Sequence, residues 1–171
     1  MFKALQRTSS IAFGLLVTIV LIAVPQVAQA QATLAGQLFI SEFRLRGPNG
    51  ANDEFIEIYA NPNLGSGGLV VSATSGTGYG IAASDGVTRC TIPNGTTFTR
   101  GHSNLCVNSV GYSLASYPSR ETTTATGDAT YTADIPDNAG IAIFNNNTGG
   151  ANYSLANRID AVGSTAETNT L

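Results

Sequence analysis

Beyond residue 36 the apolar residues of this chain come in short runs separated by Gly, Asn, Pro, Ser and Thr. Residues 40–59 set the pattern. Phe39, Ile40, Phe43 and Leu45 form one strand-like run, and Phe55, Ile56, Ile58 and Tyr59 form the next. Between them Pro48 fixes one backbone angle, while Asn49, Gly50 and Asn52 accept the positive φ that a reversing chain needs. Asp53, Glu54 and Glu57 crowd the second run, which predicts a solvated or edge position and places these acids on the rim of a first hairpin.

The same alternation of run and turn continues. Residues 61–68 are a loop by composition, 69–73 read as a buried strand, and 79–83 as another, closed by a turn at Asp85-Gly86. Residues 87–90, 96–99 and 105–110 read as strands, with turns at Pro93-Asn94-Gly95 and Arg100-Gly101-His102 between them. Residues 111–129 are Tyr- and Thr-rich and predict a long surface loop, the kind of segment that carries binding function. A turn at residues 135–138 leads into 139–144, the clearest buried strand of the second half, and a polar loop at 145–152 leads into a closing strand at 157–162. No segment after residue 30 shows a 3.6-residue apolar period, so the expected class is all-β, a sandwich or barrel.

The first 30 residues follow a different rule. Lys3 and Arg7 precede an apolar run at 11–24 broken only by Gly14 and Thr18, and Ala28-Gln29-Ala30 is a small-x-small site. This predicts a signal peptide at 1–30, cleaved after Ala30, because the apolar run is short for a hydrocarbon core of about 30 Å. The membrane is then met only in transit. Residues 31–36 form a leader, 37–163 the domain, and 164–171 a tail or the start of a continuation. Removing 30 of 171 residues leaves 141, enough for one packed domain. The mature chain has no lysine, and its six arginines against eleven acids give a net charge of −5. Such a balance disfavours nucleic acid as a partner, which calls for a basic face.

Several stretches also resemble a known family. The strand "ISEF" (40–43), a Gly-rich reversal and "DEFIEIY" (53–59) are similar to the opening of a bacterial lamin-tail domain. Residues 92–108, "IPNGTTFTRGHSNLCVN", resemble the turn linking two central strands of that family, and "DNAGIAIFN" (137–145) with "RIDAVGS" (158–164) resemble its last two strands. The resemblance runs from about residue 37 to 163. It implies an immunoglobulin-like β-sandwich, exported from a bacterium and without an active site of its own.

The candidate chemistry is sparse. Cys90 and Cys106 are the only cysteines; in an exported chain a structural disulfide bridging neighbouring strands is expected, ahead of free buried thiols or redox chemistry. His102 is the sole histidine, and a Ser-His-Asp hydrolase would depend on it. Residues 111–115, containing Ser113, match a nucleophile elbow only loosely, since the last glycine is missing. Glu42, Asp53, Glu54 and Glu57 on the first hairpin offer carboxylates for acid/base work or calcium, and Asp134, Asp137 and Asn138 offer a second cluster of oxygens, but no EF-hand spacing is present, and strand acids more simply stay solvated or pair with Arg44 and Arg46. Asn94, Asn146 and Asn152 stand in N-x-Ser/Thr sequons, which count only in a glycosylating host. The expectation is a secreted, noncatalytic binding or structural module, with no metal and no cofactor, whose partner is an extracellular protein or polysaccharide. The alternatives are the accessory domain of a truncated exported nuclease or phosphoesterase, and a weak nucleic-acid-binding module.

Overall fold

A computed structural model describes residues 34–115 and 125–163. The expected signal peptide at 1–30, its cleavage after Ala30 and the 164–171 tail lie outside the described residues, as does much of the Thr-rich segment.

Among the described residues ten strands follow one another: β1 (Leu38–Arg44), β2 (Phe55–Ala60), β3 (Leu69–Val70), β4 (Gly78–Ala83), β5 (Thr88–Pro93), β6 (Thr97–Phe98), β7 (Ser103–Asn108), β8 (Ala129–Tyr131), β9 (Ile141–Phe144) and β10 (Arg158–Val162). They build two four-stranded sheets, ordered β1-β2-β7-β8 and β10-β9-β4-β5, and a small β3-β6 pair. All pairings are antiparallel except β7-β8. The described residues are thus all-β, with helix confined almost entirely to two short 3-10 turns, Gly150–Asn152 and Leu155–Asn157.

Period-two alternation decides what each sheet buries. In β2, Ile56, Ile58 and Ala60 have no exposed surface, and they meet Ile81, Ile92, Ile141 and Ile143 of the other sheet in one apolar cluster. Each such aliphatic side chain contributes about 2 kcal/mol on leaving water, so this layer holds the two sheets together. The sheets are also tied at their margins. The Asp160 carboxylate of β10 accepts the Ile40 N–H of β1 at 2.8 Å, giving a partner to an edge amide of the other sheet.

Cys90 on β5 and Cys106 on β7 form a disulfide, with Cα atoms 6.3 Å apart. Because β5 and β7 belong to different sheets, the bond crosses the core instead of joining neighbouring strands of one sheet. Two other expectations change. The stretch 69–73 shrinks to the two residues of β3, where Val70 is exposed and Val71 buried. Strand β8 begins at Ala129, the last residue of the segment read as loop, and pairs in parallel with β7 through Cys106↔Ala129 and Asn108↔Tyr131.

Candidate functional site

The acids of the first hairpin are the largest departure from expectation. β2 lies between β1 and β7, so it is an interior strand, and Asp53 and Glu54 are fully buried just before it. Neither is a solvated rim group. Asp53 pairs with the Arg44 guanidinium, which also donates to the Asp53 carbonyl at 2.9 Å and to Ser113 Oγ at 3.1 Å. The N–H groups of Asn49 and Ser113 donate to the Asp53 carboxylate at 3.1 and 2.9 Å. Burial alone would raise its pKa, but these donors and the Arg44 charge outweigh it and hold the carboxyl below its ordinary value. Glycine at 47 is required, because a Cβ there would stand 2.4 Å from Asp53 Oδ2.

Glu54 faces the other way. Its carboxylate accepts Asn108 Nδ2 at 2.9 Å and the Ile135 N–H at 2.8 Å, joining the start of β2, the end of β7 and the β8–β9 connection. Burial pushes its pKa up, and the nearby Asp134 charge adds to the rise. Arg89, also buried, donates to Asp85 and to the carbonyls of Val87, Ala133 and Asp134. These groups spend their hydrogen-bonding capacity inside the protein and act as loop anchors.

Of the remaining candidate carboxylates, Asp134 lies near enough to Glu54 to raise its pKa, while Glu42 and Glu57 do not join the two buried acids. Glu42 and Glu57 stand opposite each other across β1 and β2, and Glu57 accepts the hydroxyls of Ser41 and Ser103 at 2.6 and 3.1 Å. Asp137 pairs with Arg46 at 2.8 Å in solvent. Among the described residues no group of three or more His, Cys, Asp or Glu gathers as a metal site would. His102 precedes β7 and Ser113 follows it, so a six-residue strand, about 20 Å long, separates the two. Ser113 is fully buried against Arg44 and Asp53, whereas His102 is exposed with its ring edge-on to Phe98. Of the sequons, Asn146 is fully buried and closed to any glycan, while Asn94 and Asn152 are exposed.

A concave surface appears elsewhere, on the solvent side of the second sheet. Ala82, Ala142 and Ala161 are register partners across β4, β9 and β10, and their small side chains floor a groove of about 270 Å³. Phe144 and Tyr153 wall it, their rings stacked at 4.3 Å, and Arg158 also lines it. Tyr153 comes from the segment after the 3-10 turn, folds back onto the sheet and hydrogen-bonds Thr88 through its hydroxyl. It lies over Gly80, where a Cβ would stand 2.5 Å from the Tyr153 hydroxyl oxygen. Sequence reasoning missed these residues. Alanines in a strand carry no local signal; only the register of three strands brings them into one row, with Ala82 and Ala142 paired across 60 residues of chain.

Comparison of the chain with protein-family models, with curated proteins and with solved structures finds no match in any of the three.

Proposed function

We propose that this chain is an exported, noncatalytic module of lamin-tail type, an immunoglobulin-like sandwich that acts in binding or structural roles at the cell surface or outside the cell. The observation that carries this reading is the groove over Ala82, Ala142 and Ala161, a concave surface of mixed polar and apolar lining on a sheet face. The contrast with the ionisable groups supports it. Asp53, Glu54 and Arg89 are committed to internal partners, and His102 stands apart from the buried serine. The Cys90–Cys106 disulfide and the signal-like residues 1–30 fit an oxidising compartment outside the cytoplasm.

The test is a capture assay with the exported chain, immobilised and exposed to cell-wall fractions, glycans and DNA. Retention of a cell-wall or glycan component that is lost in Ala142→Trp, which fills the groove from the solvent side, is the expected result. Retention of DNA alone, weakening steeply with salt, contradicts it, as does turnover of a phosphoester or glycosidic substrate.

A further inference from the structure

We propose that Glu54 is a pH-operated latch on the β8–β9 connection: with its carboxyl protonated the segment 132–139 stays seated on the fold, and ionisation loosens that segment while the two sheets remain packed. The geometry carries this. The carboxyl is fully buried, and its Oε1 accepts the N–H of Ile135 at 2.8 Å, a residue of the connection whose own side chain is fully buried in the core. Its Oε2 accepts Asn108 Nδ2 at 2.9 Å from the end of β7. Strand β2, which Glu54 precedes, lies inside its sheet, whereas residues 132–134 and 136–138 are exposed on either side of Ile135. The segment that Glu54 holds is therefore the part that opens first.

The charges around the carboxyl decide the direction. Asp134, on the connection itself, is the negative neighbour; Arg46 of the β1–β2 turn and Arg89 of β5, beside Tyr131, are the positive ones. Both guanidiniums are engaged elsewhere, Arg46 with Asp137, and Arg89 with Asp85 and three main-chain carbonyls. Asp53, the preceding acid, is paired with Arg44. Strand β8 contributes Tyr131, which burial and the Glu54 charge keep as a neutral O–H. Its oxygen is buried and accepts no hydrogen bond, so it is open to the O–H of a protonated Glu54. An ionised Glu54 has only the neutral donors of Asn108 and Ile135 to set against burial and the Asp134 charge. Lifting Ile135 away admits water to the carboxylate, so ionisation and opening favour each other. Burial first, and then Asp134, hold the folded pKa above 4.5, so the latch is closed in acid and loosens as pH rises.

Amide hydrogen exchange at Ile135 tests it, followed by NMR on the full chain from about pH 4 to about pH 8 and divided by the intrinsic rate at each pH. The opening equilibrium should rise by up to about tenfold per pH unit between 4.5 and the folded Glu54 pKa, and then level off. The amide of Ile58, inside the sheet on β2, should not follow it. In Glu54→Gln, which keeps the shape of the side chain and cannot ionise, the Ile135 profile should be flat. Asp134→Asn, at an exposed position, should keep the fold and move the levelling-off to lower pH. A flat wild-type profile overturns the latch, as does an undiminished rise in Glu54→Gln or an Asp134→Asn profile that superimposes on wild type. An equal rise at Ile58 overturns it too, since the event is then global unfolding. Opening that grows on acidification would assign control to the Arg46–Asp137 pair and likewise overturns it.

Discussion

Asp53 and Glu54 are adjacent and carry the same functional group, yet their surroundings move their proton affinities in opposite directions. For Asp53 the folded pKa lies below the unfolded one, so its contribution is present above the ordinary value of 3.8 and is lost as pH falls through the folded value. For Glu54 the folded pKa lies above 4.5; its contribution is full below that value and is lost as pH rises through the folded one. Carboxyl-detected NMR titration should accordingly show Glu54 titrating above its ordinary value and Asp53 below its own. Coincident midpoints would contradict the burial and bonding described here. Replacing Asp53 by Asn leaves Arg44 facing a neutral amide in a buried setting and should cost about 3 kcal/mol at pH 7 in denaturant unfolding. That deficit should narrow as the pH is lowered past the Asp53 midpoint. A deficit independent of pH would mean that packing, and not the charge, sets it. These roles were not legible in the sequence. The residue types were visible, but the donors that decide burial come from positions 49, 108, 113 and 135, which local pattern does not connect.

At the scale of elements, legibility followed how local the pairing is. β4 and β9 were readable as apolar runs, and both are buried along their whole length. The turn at Pro93-Asn94-Gly95 was readable because Gly95 has φ +87°, a conformation that favours glycine. β8 was not readable: three residues, Ala129–Tyr131, owe their extended state to pairing with β7 across a long connection. The disulfide was expected between Cys90 and Cys106, but its reach from one sheet to the other follows only from the strand order. It closes a loop of 16 residues and should be worth about 3 kcal/mol in the chain-entropy model. The Cys90→Ala/Cys106→Ala double variant should therefore lower the denaturant midpoint, and thiol alkylation of the wild type, native or unfolded without reductant, should label neither cysteine, since the bond leaves no free thiol. Ready labelling of native protein without reductant would contradict the cross-core bond.

For the whole molecule, the two sheets do different work. One, β1-β2-β7-β8, is fastened at its end by buried carboxylates; the other, β10-β9-β4-β5, leaves a hollow on its solvent side beneath Phe144 and Tyr153. The expected all-β class was legible from run length and turn residues, while the groove, which exists only through strand register, was not. The most direct measurement of whether that groove is the working surface is site-specific photocrosslinking in cells that express the chain. A photoreactive residue is placed at Ala161, exposed in the groove, and in a second strain at Val110, 63 % exposed and away from it. A discrete adduct from Ala161 that is absent from Val110 is the predicted result; equal adducts from both positions, or none from Ala161, would contradict a binding role for the groove.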